Sequence, residues 1–250
     1  MIGPPPLDCH AHISPDVTPR QLARLGPAVV FAVTRSPKEA KAAYSRSDQR
    51  MIWGYGAHPA FVSKGGDIDL PLLRRLLPRF ALLGEIGLDR RSGHVDRQTQ
   101  LLAQLLETVT NEPVLLSLHS NGCVDELLGV LEAHPHPGYI LHWFTGDEGQ
   151  LEQAVRLGCY FSVNAAMHSA ALRRVPLDRM LPETDYPVSR ASKGGMPGET
   201  QRLESAVALL HGLESPAVRA QWYRNLRTLS LSTGAIDRMP RELADLLVIA

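Results

Sequence analysis

Six side chains, spread over most of the chain, carry the chemistry this sequence can do: His10, His12, Glu85, His119, His142 and Asp185. His10 and His12 follow the apolar stretch Ile2–Cys9. Alternate residues of a strand project to one side, so imidazoles at i and i+2 stand together at a strand end and can share a divalent cation. Alone the pair means little, because ten histidines in 250 residues give about 0.4 chance His-x-His matches. The other four residues change its weight. Glu85 follows the run Ala81–Leu83, His119 follows Val114–Leu118, His142 follows Tyr139–Leu141, and Asp185 lies just beyond Met180–Leu181 in Glu183-Thr184-Asp185. A lone histidine beside a core strand is ordinarily a hydrogen-bonded structural residue. Five strand ends that each carry a nitrogen or oxygen donor point instead to a metal site. Four imidazoles and two carboxylates are enough for two divalent cations that share a ligand. Such a thiolate-free donor set suits Mg, Mn, Zn or Ni without choosing among them.

These residues need a frame that gathers strand ends. Short apolar runs alternate with longer amphipathic ones, the mark of βα units around a parallel sheet. The expected strands are Leu7–Cys9, Ala28–Val33, Met51–Gly56, Ala81–Leu83, Val114–Leu118, Tyr139–Leu141, Tyr160–Val163 and Met180–Leu181. Eight strands close a TIM-type (β/α)8 barrel, whose active face lies at the carboxyl ends of the strands. Helical patterns fall at Pro19–Leu25, Pro37–Ser45, Leu70–Leu77, Arg97–Asn111, Val124–Ala133 and Gly149–Leu157, with a short turn near Ala170. Thr200–His211, Pro216–Leu231 and Glu242–Ile249 predict C-terminal helices, the second with Ser215 as N-cap. The first βα units are short, and Asp8 to Val33 leaves little room for a long first helix. With no repeat, low-complexity tract or linker, residues 1–250 read as one domain.

Composition narrows the class. The chain is 44% hydrophobic with zero net charge, so it can bury a large core and has no global field drawing it to nucleic acid. No apolar run approaches the roughly 18 residues needed to span a bilayer. Met1–Pro6 lacks the basic and apolar regions of a signal peptide. Cys9, Cys123 and Cys159 show no paired spacing, which suits reduced thiols and a cytoplasmic protein. Only four of the 26 cations are lysine (Lys38, Lys41, Lys64 and Lys193). Arginine suits bidentate phosphate contacts, although a coding bias gives the same count.

The order of the motifs resembles the TatD family of metal-dependent deoxyribonucleases, within the amidohydrolase superfamily. Asp8-Cys9-His10-Ala11-His12 is similar to the family's Asp-x-His-x-His, Gly56-Ala57-His58-Pro59 to its Gly-x-His-Pro, and Gly84–Asp89 to its Gly-Glu-x-Gly-Leu-Asp. His119-Ser120, His142–Gly146 and Glu183-Thr184-Asp185 follow in the family's order. The resemblance implies a distorted barrel, two divalent metal ions and hydrolysis of phosphodiesters. It implies that His10, His12 and Asp185 hold one metal and His119 and His142 the other, with Glu85 bridging. Many relatives in the superfamily bridge with a carboxylated lysine, but none of the four lysines ends an expected strand. Asp185 is then expected as catalytic base beside Glu85, and His58 faces substrate or a further metal, against the plainer reading of a helix cap. Asp89 is expected to brace the Glu85 loop, and Asn164 to line the site. Cys9 points to the opposite face of its strand. His94, His134, His136, His168 and His211 are expected to be solvated, with His136 in a turn.

The sequence departs from the family where substrate would sit. Asn121 stands where an arginine is usual two residues after the histidine, and Arg90 and Arg91 follow Asp89 as substitutes, so all three join His58 as expected substrate contacts. Gly194–Glu199 replaces an Asn-Glu-Pro element. An intact metal set with an altered substrate wall resembles divergent TatD-like nucleases of bacterial anti-phage defence cassettes, which implies protein partners beside DNA. The favoured reading is a deoxyribonuclease acting at single-stranded or strand ends. The alternatives are another binuclear hydrolase with a lactone, phosphotriester or aminoacyl-ester substrate, or a non-catalytic scaffold.

Overall fold

The computed structural model describes residues 3–187 and 196–249. Eight parallel strands form one sheet in sequential order: β1 (Leu7–Ala11), β2 (Val29–Ala32), β3 (Met51–Tyr55), β4 (Leu82–Asp89), β5 (Leu115–Asn121), β6 (Tyr139–His142), β7 (Tyr160–Val163) and β8 (Met180–Pro182). Helices α1 (Pro19–Leu22), α2 (Pro37–Ala43), α3 (Pro59–Ser63), α4 (Leu70–Leu76), α5 (Val95–Val109), α6 (Val124–Ala133), α7 (Glu148–Arg156) and α8 (Ser169–Arg174) fall between them, and α9 (Gln201–His211), α10 (Ser215–Thr233) and α11 (Arg241–Ile249) follow. This is the expected (β/α)8 barrel with C-terminal helices. Nearly every strand residue is buried, as parallel strands covered on both faces must be.

The seam between first and last strands is closed by few bonds. Asp185 N donates to His10 O (2.9 Å) and His12 N to Tyr186 O (2.7 Å). Asp8 fastens the same seam by accepting from Thr184 N (2.9 Å), Thr184 Oγ1 (2.6 Å) and Gly198 N (2.8 Å). Burial raises the Asp8 carboxyl to about 6 even though these donors favour its charged form. At the other end α10 covers the amino ends of the strands, where Asn225 Nδ2 donates to Leu177 O (2.8 Å) and Met180 O (2.7 Å). No helix among the described residues is long and apolar enough to cross a membrane.

Several expected boundaries move. β4 runs on to Asp89 and β5 to Asn121, because the ladder continues through polar residues, Gly87 beside His119 and Asp89 beside Asn121. Glu85 and His119 are therefore inside strands rather than after them. The β4 register shifts between Leu83 and Ile86, a bulge of the kind that re-aims a side chain. Gly87 sits at φ 133°, and a Cβ there would run into the backbone of His119, so only glycine lets the two strands approach. Helix α10 begins one residue early: Glu214 holds the cap position without a side-chain bond, and Ser215 is already helical. Helix α3 was not expected, because its five residues are too short for a helical period to show. His136 is buried rather than solvated, with Nδ1 accepting from Gly138 N (3.0 Å) and Nε2 facing Glu112 O (3.2 Å).

Candidate metal centre

The bulge in β4 sends the Glu85 carboxylate into the mouth of the barrel, where five histidines from four strand ends meet it. Oε1 lies 2.6 Å from His119 Nδ1 and 3.9 Å from His142 Nε2. Oε2 lies 3.4 Å from His12 Nε2, 3.7 Å from His58 Nε2 and 3.8 Å from His10 Nε2. Asp185 Oδ1 completes the ring, 3.6 Å from His12 Nε2 and 3.9 Å from His10 Nε2. Asp185 adopts φ 49°, a left-handed conformation that Asp and Asn tolerate better than most residues.

The outer ring nitrogens explain the inner ones. His10 Nδ1 meets Ser117 Oγ (2.8 Å), and His142 Nδ1 meets buried Glu183 Oε2 (2.8 Å), so each turns Nε2 inward. Glu183 is held in turn by Ser162 Oγ and by Asn164 Nδ2 (3.0 Å). This is the carboxylate–histidine arrangement that fixes the tautomer of a metal ligand. His119 is reversed, with Nδ1 on Glu85 and Nε2 3.7 Å from Asp89 Oδ2. His58 Nδ1 caps α3 by accepting from Ala60 N (3.0 Å), the plainer of its two readings, which in the neutral ring puts the proton on the Nε2 facing Glu85.

Charge and burial oppose each other here. Burial holds the His10 imidazole well below its ordinary value and brings His12 down to about 4. Burial also acts on His119, but the Glu85 charge with Asp89 behind it wins and raises that ring to about 10. Glu85, despite burial, is held well below the carboxylate range by the imidazoles, His119 foremost. Burial lifts Asp185 to about 7.

The donor set fits a divalent cation. His10 Nε2, His12 Nδ1, Glu85 Oε2 and His119 Nε2 are buried with no hydrogen-bond partner, an expense rarely tolerated without a ligand. Donor atoms within 4.8 Å of one another group as His10-His12-Glu85, His10-His142-Asp185 and His58-Glu85-His119. All six expected ligands are thus brought together, and His142 falls with His10 and Asp185 rather than with His119. Cys9 is buried and joins none of these groups.

A cavity of 300 Å³ opens beside the cluster, bordered by Arg91, Asn121, Trp143 and Thr145 together with His119, His142 and Asp185. Of the expected substrate contacts, His58 faces Glu85, and Arg91 and Asn121 reach this cavity. Arg90 does not. Its exposed guanidinium is engaged by Gly122 O (2.7 Å) and Glu126 on α6. Asn121 also donates to Asp89 Oδ1 (3.1 Å), so Asp89 is held from β5 as well as by Arg91 N (2.8 Å) and Ser92 Oγ (3.1 Å). Asn164 is buried behind Glu183 rather than lining the site. Of the replaced 194–199 element, residues 194 and 195 lie outside those described. The orienting groups Ser117, Glu183 and Ser162 were missed. Only Glu183 left a trace, as the first member of Glu183-Thr184-Asp185.

An eight-stranded parallel barrel with a histidine–carboxylate cluster at its carboxyl rim defines the class, a (β/α)8 barrel with a candidate metal centre. More narrowly, the chain belongs to the TatD related DNases, whose family profile matches residues 7–230. The chain is 29% identical over 182 residues to YcfH of Escherichia coli K12, described as a metal-dependent hydrolase, covering 65% of this chain and 67% of that one. It is 26% identical over 172 residues to the 3'-5' ssDNA/RNA exonuclease TatD of Klebsiella pneumoniae, covering 61% and 65%. With mouse TATDN3 it shares 27% identity over 132 residues, 48% of this chain and 45% of that protein. The matched regions thus span about half to two thirds of these relatives. Among solved structures, the TatD homolog YjjV of Escherichia coli K12 superposes with TM-score 0.73 at 22% identity, over 89% of this chain and 97% of that one. A TatD family hydrolase of Entamoeba histolytica gives 0.75 at 14% identity, over 92% and 99%.

Proposed function

We propose that residues 1–250 act as one cytoplasmic catalytic domain that hydrolyses DNA phosphodiesters at single-stranded or strand ends, using two divalent cations held by His10, His12, Glu85, His119, His142 and Asp185. One observation carries the reading: a buried carboxylate is ringed by five imidazoles, and His10 Nε2, His12 Nδ1, His119 Nε2 and Glu85 Oε2 are buried there without a hydrogen-bond partner. Names of relatives, a DNase family and a 3'-5' exonuclease, support nucleic acid as the substrate. Three free, buried cysteines suit a reducing compartment.

When bound, two divalent cations supply Lewis-acid activation of a water and charge neutralisation at the phosphoryl oxygens. The chain's own residues do the rest. Asp185, a buried carboxylate bordering the cavity, is placed to accept the proton of the attacking water. Glu85 sits between the two ligand sets and fixes their spacing. Glu183 and Ser117 keep His142 and His10 turned inward. The His58 Nε2–H can donate to a phosphate oxygen, and Arg91 brings a guanidinium to the cavity wall where the family's arginine is replaced by Asn121.

End-labelled single-stranded DNA incubated with the purified protein, with and without Mn²⁺ or Mg²⁺, tests this. Progressive shortening that depends on the cation is expected. Turnover of a lactone, phosphotriester or aminoacyl ester, with no shortening of DNA, would move the protein to a different hydrolase.

A further inference from the structure

We propose that Trp143 is a base-stacking platform: its indole holds the nucleobase of the nucleotide next to the scissile phosphate, so the site selects an unpaired, base-bearing strand end. The inference rests on the phosphodiesterase reading and adds the feature of substrate that the site recognises.

Three consecutive residues from the last of β6 onward divide three tasks. His142 turns into the cluster, and Phe144 packs into the core, 4% exposed and edge-on to Phe161 at 5.3 Å. Trp143 between them borders the 300 Å³ cavity that His119, His142 and Asp185 also border. Its backbone stands at φ 43°, a left-handed conformation that a bulky side chain adopts only where its surroundings impose it. Trp143 N is tied to Ser162 O (3.1 Å), and the indole stands edge-on to the His142 ring at 6.4 Å and 84°. The indole N–H finds no protein partner among the described residues. The other two tryptophans are core residues, Trp53 at 7% exposure and Trp222 at 0%. Trp143 is half-buried and faces open space beside the reacting groups.

The rest of the cavity wall completes the match. A nucleobase presents a flat π face and an edge of donors and acceptors. The indole offers the complementary face, and Arg91, Asn121 and Thr145 offer a guanidinium, an amide and a hydroxyl for the edge and the adjoining phosphate. A base inside a duplex has both faces covered by its neighbours, so reaching the indole demands an unpaired or extruded nucleotide.

The test uses oligodeoxynucleotides with 2-aminopurine, whose fluorescence falls on stacking, at one end or the other. They are bound to Mn²⁺-loaded protein carrying Asp185→Asn to prevent turnover. Quenching at one end is expected, kept when Trp143→Phe is added and lost with Trp143→Ala. Circular dichroism and thermal melting verify that each variant is folded. On the active enzyme, replacing the terminal base by an abasic residue is expected to raise KM about 5- to 150-fold, the factor that one base–aromatic stack is worth. Trp143→Phe should keep most of that discrimination and Trp143→Ala should abolish it. Equal quenching with Trp143 and with Trp143→Ala, no quenching at either end, or discrimination that survives Trp143→Ala would overturn the proposal. An active-site protein that never shortens DNA but still quenches 2-aminopurine would sink the phosphodiesterase reading and leave the stacking platform standing.

Discussion

His136 and His10 are both buried, at opposite ends of the barrel, and differ in what their ring nitrogens find. At the amino end His136 has both occupied: Nδ1 accepts from Gly138 N (3.0 Å) and Nε2 faces Glu112 O (3.2 Å). At the carboxyl rim His10 has Ser117 Oγ on Nδ1 and nothing on Nε2. His12, Glu85 and His119 repeat that vacancy around it. Elsewhere among the described residues, orphaned atoms are single groups on α9 and α10, at His211, Trp222, Tyr223 and Ser230, with no carboxylate among them. The amino end leaves only scattered single groups unpaired, whereas the rim gathers unpaired imidazoles and a carboxylate in one place where a ligand can satisfy them together. A barrel can afford this because its core, not its rim, supplies the stability.

Variants at the rim should therefore cost function and spare stability, and variants at the amino end the reverse. The largest effect is expected from Glu85→Gln. Cleavage of DNA should fall beyond the roughly 10²- to 10⁴-fold that loss of a single proton acceptor costs. Bound metal, measured by mass spectrometry, should fall with it, while the melting temperature of the metal-free protein stays level or rises, since a buried charge has gone. A collapse in metal-free stability would erase the contrast. Next, Asp185→Asn, which keeps a residue tolerant of φ 49°, should slow turnover about 10²- to 10⁴-fold with oligonucleotide binding retained. Full activity would remove Asp185 as the base.

Glu183→Gln reaches the reaction only through His142, so a loss of about 10- to 100-fold in metal affinity or rate is expected. Titration calorimetry with Mn²⁺ would show it, and unchanged affinity would break the orienting role. At the amino end, His136→Ala should cost about 1–3 kcal/mol by unpairing Gly138 N–H and Glu112 C=O. That lowers the melting temperature by a few degrees without changing kcat. Smallest of all, Arg90→Ala should change KM for DNA less than about twofold, because its guanidinium already lies on Glu126 and Gly122 in solvent.

The same contrast decides what could be read from sequence. Strands covered on both faces appear as apolar runs, so all eight were found, and α6 was placed at both ends from its amphipathic period. Where the ladder continues through Gly84–Asp89 and His119–Asn121, the apolar signal stops before the strand does, so β4 and β5 were cut short. The ligands were legible because histidine and carboxylates at strand ends are conspicuous. Their orienters were not: Ser117 and Ser162 inside strands look like filler until His10 and Glu183 are placed against them. Arg90 and Arg91 are neighbours of one type, and only the position of Glu126, on α6, separates them. His136 between two prolines reads as a turn, because its partners come from the chain on either side of β5.

The most direct test of the open-rim account is to strip the protein of metal, return Mn²⁺ in measured equivalents, and follow cleavage of a single-stranded oligonucleotide alongside bound metal. The account predicts no cleavage at zero equivalents, a rise to a plateau at two, and neither uptake nor cleavage in Glu85→Gln. Undiminished cleavage by the stripped protein, or by Glu85→Gln, would contradict it.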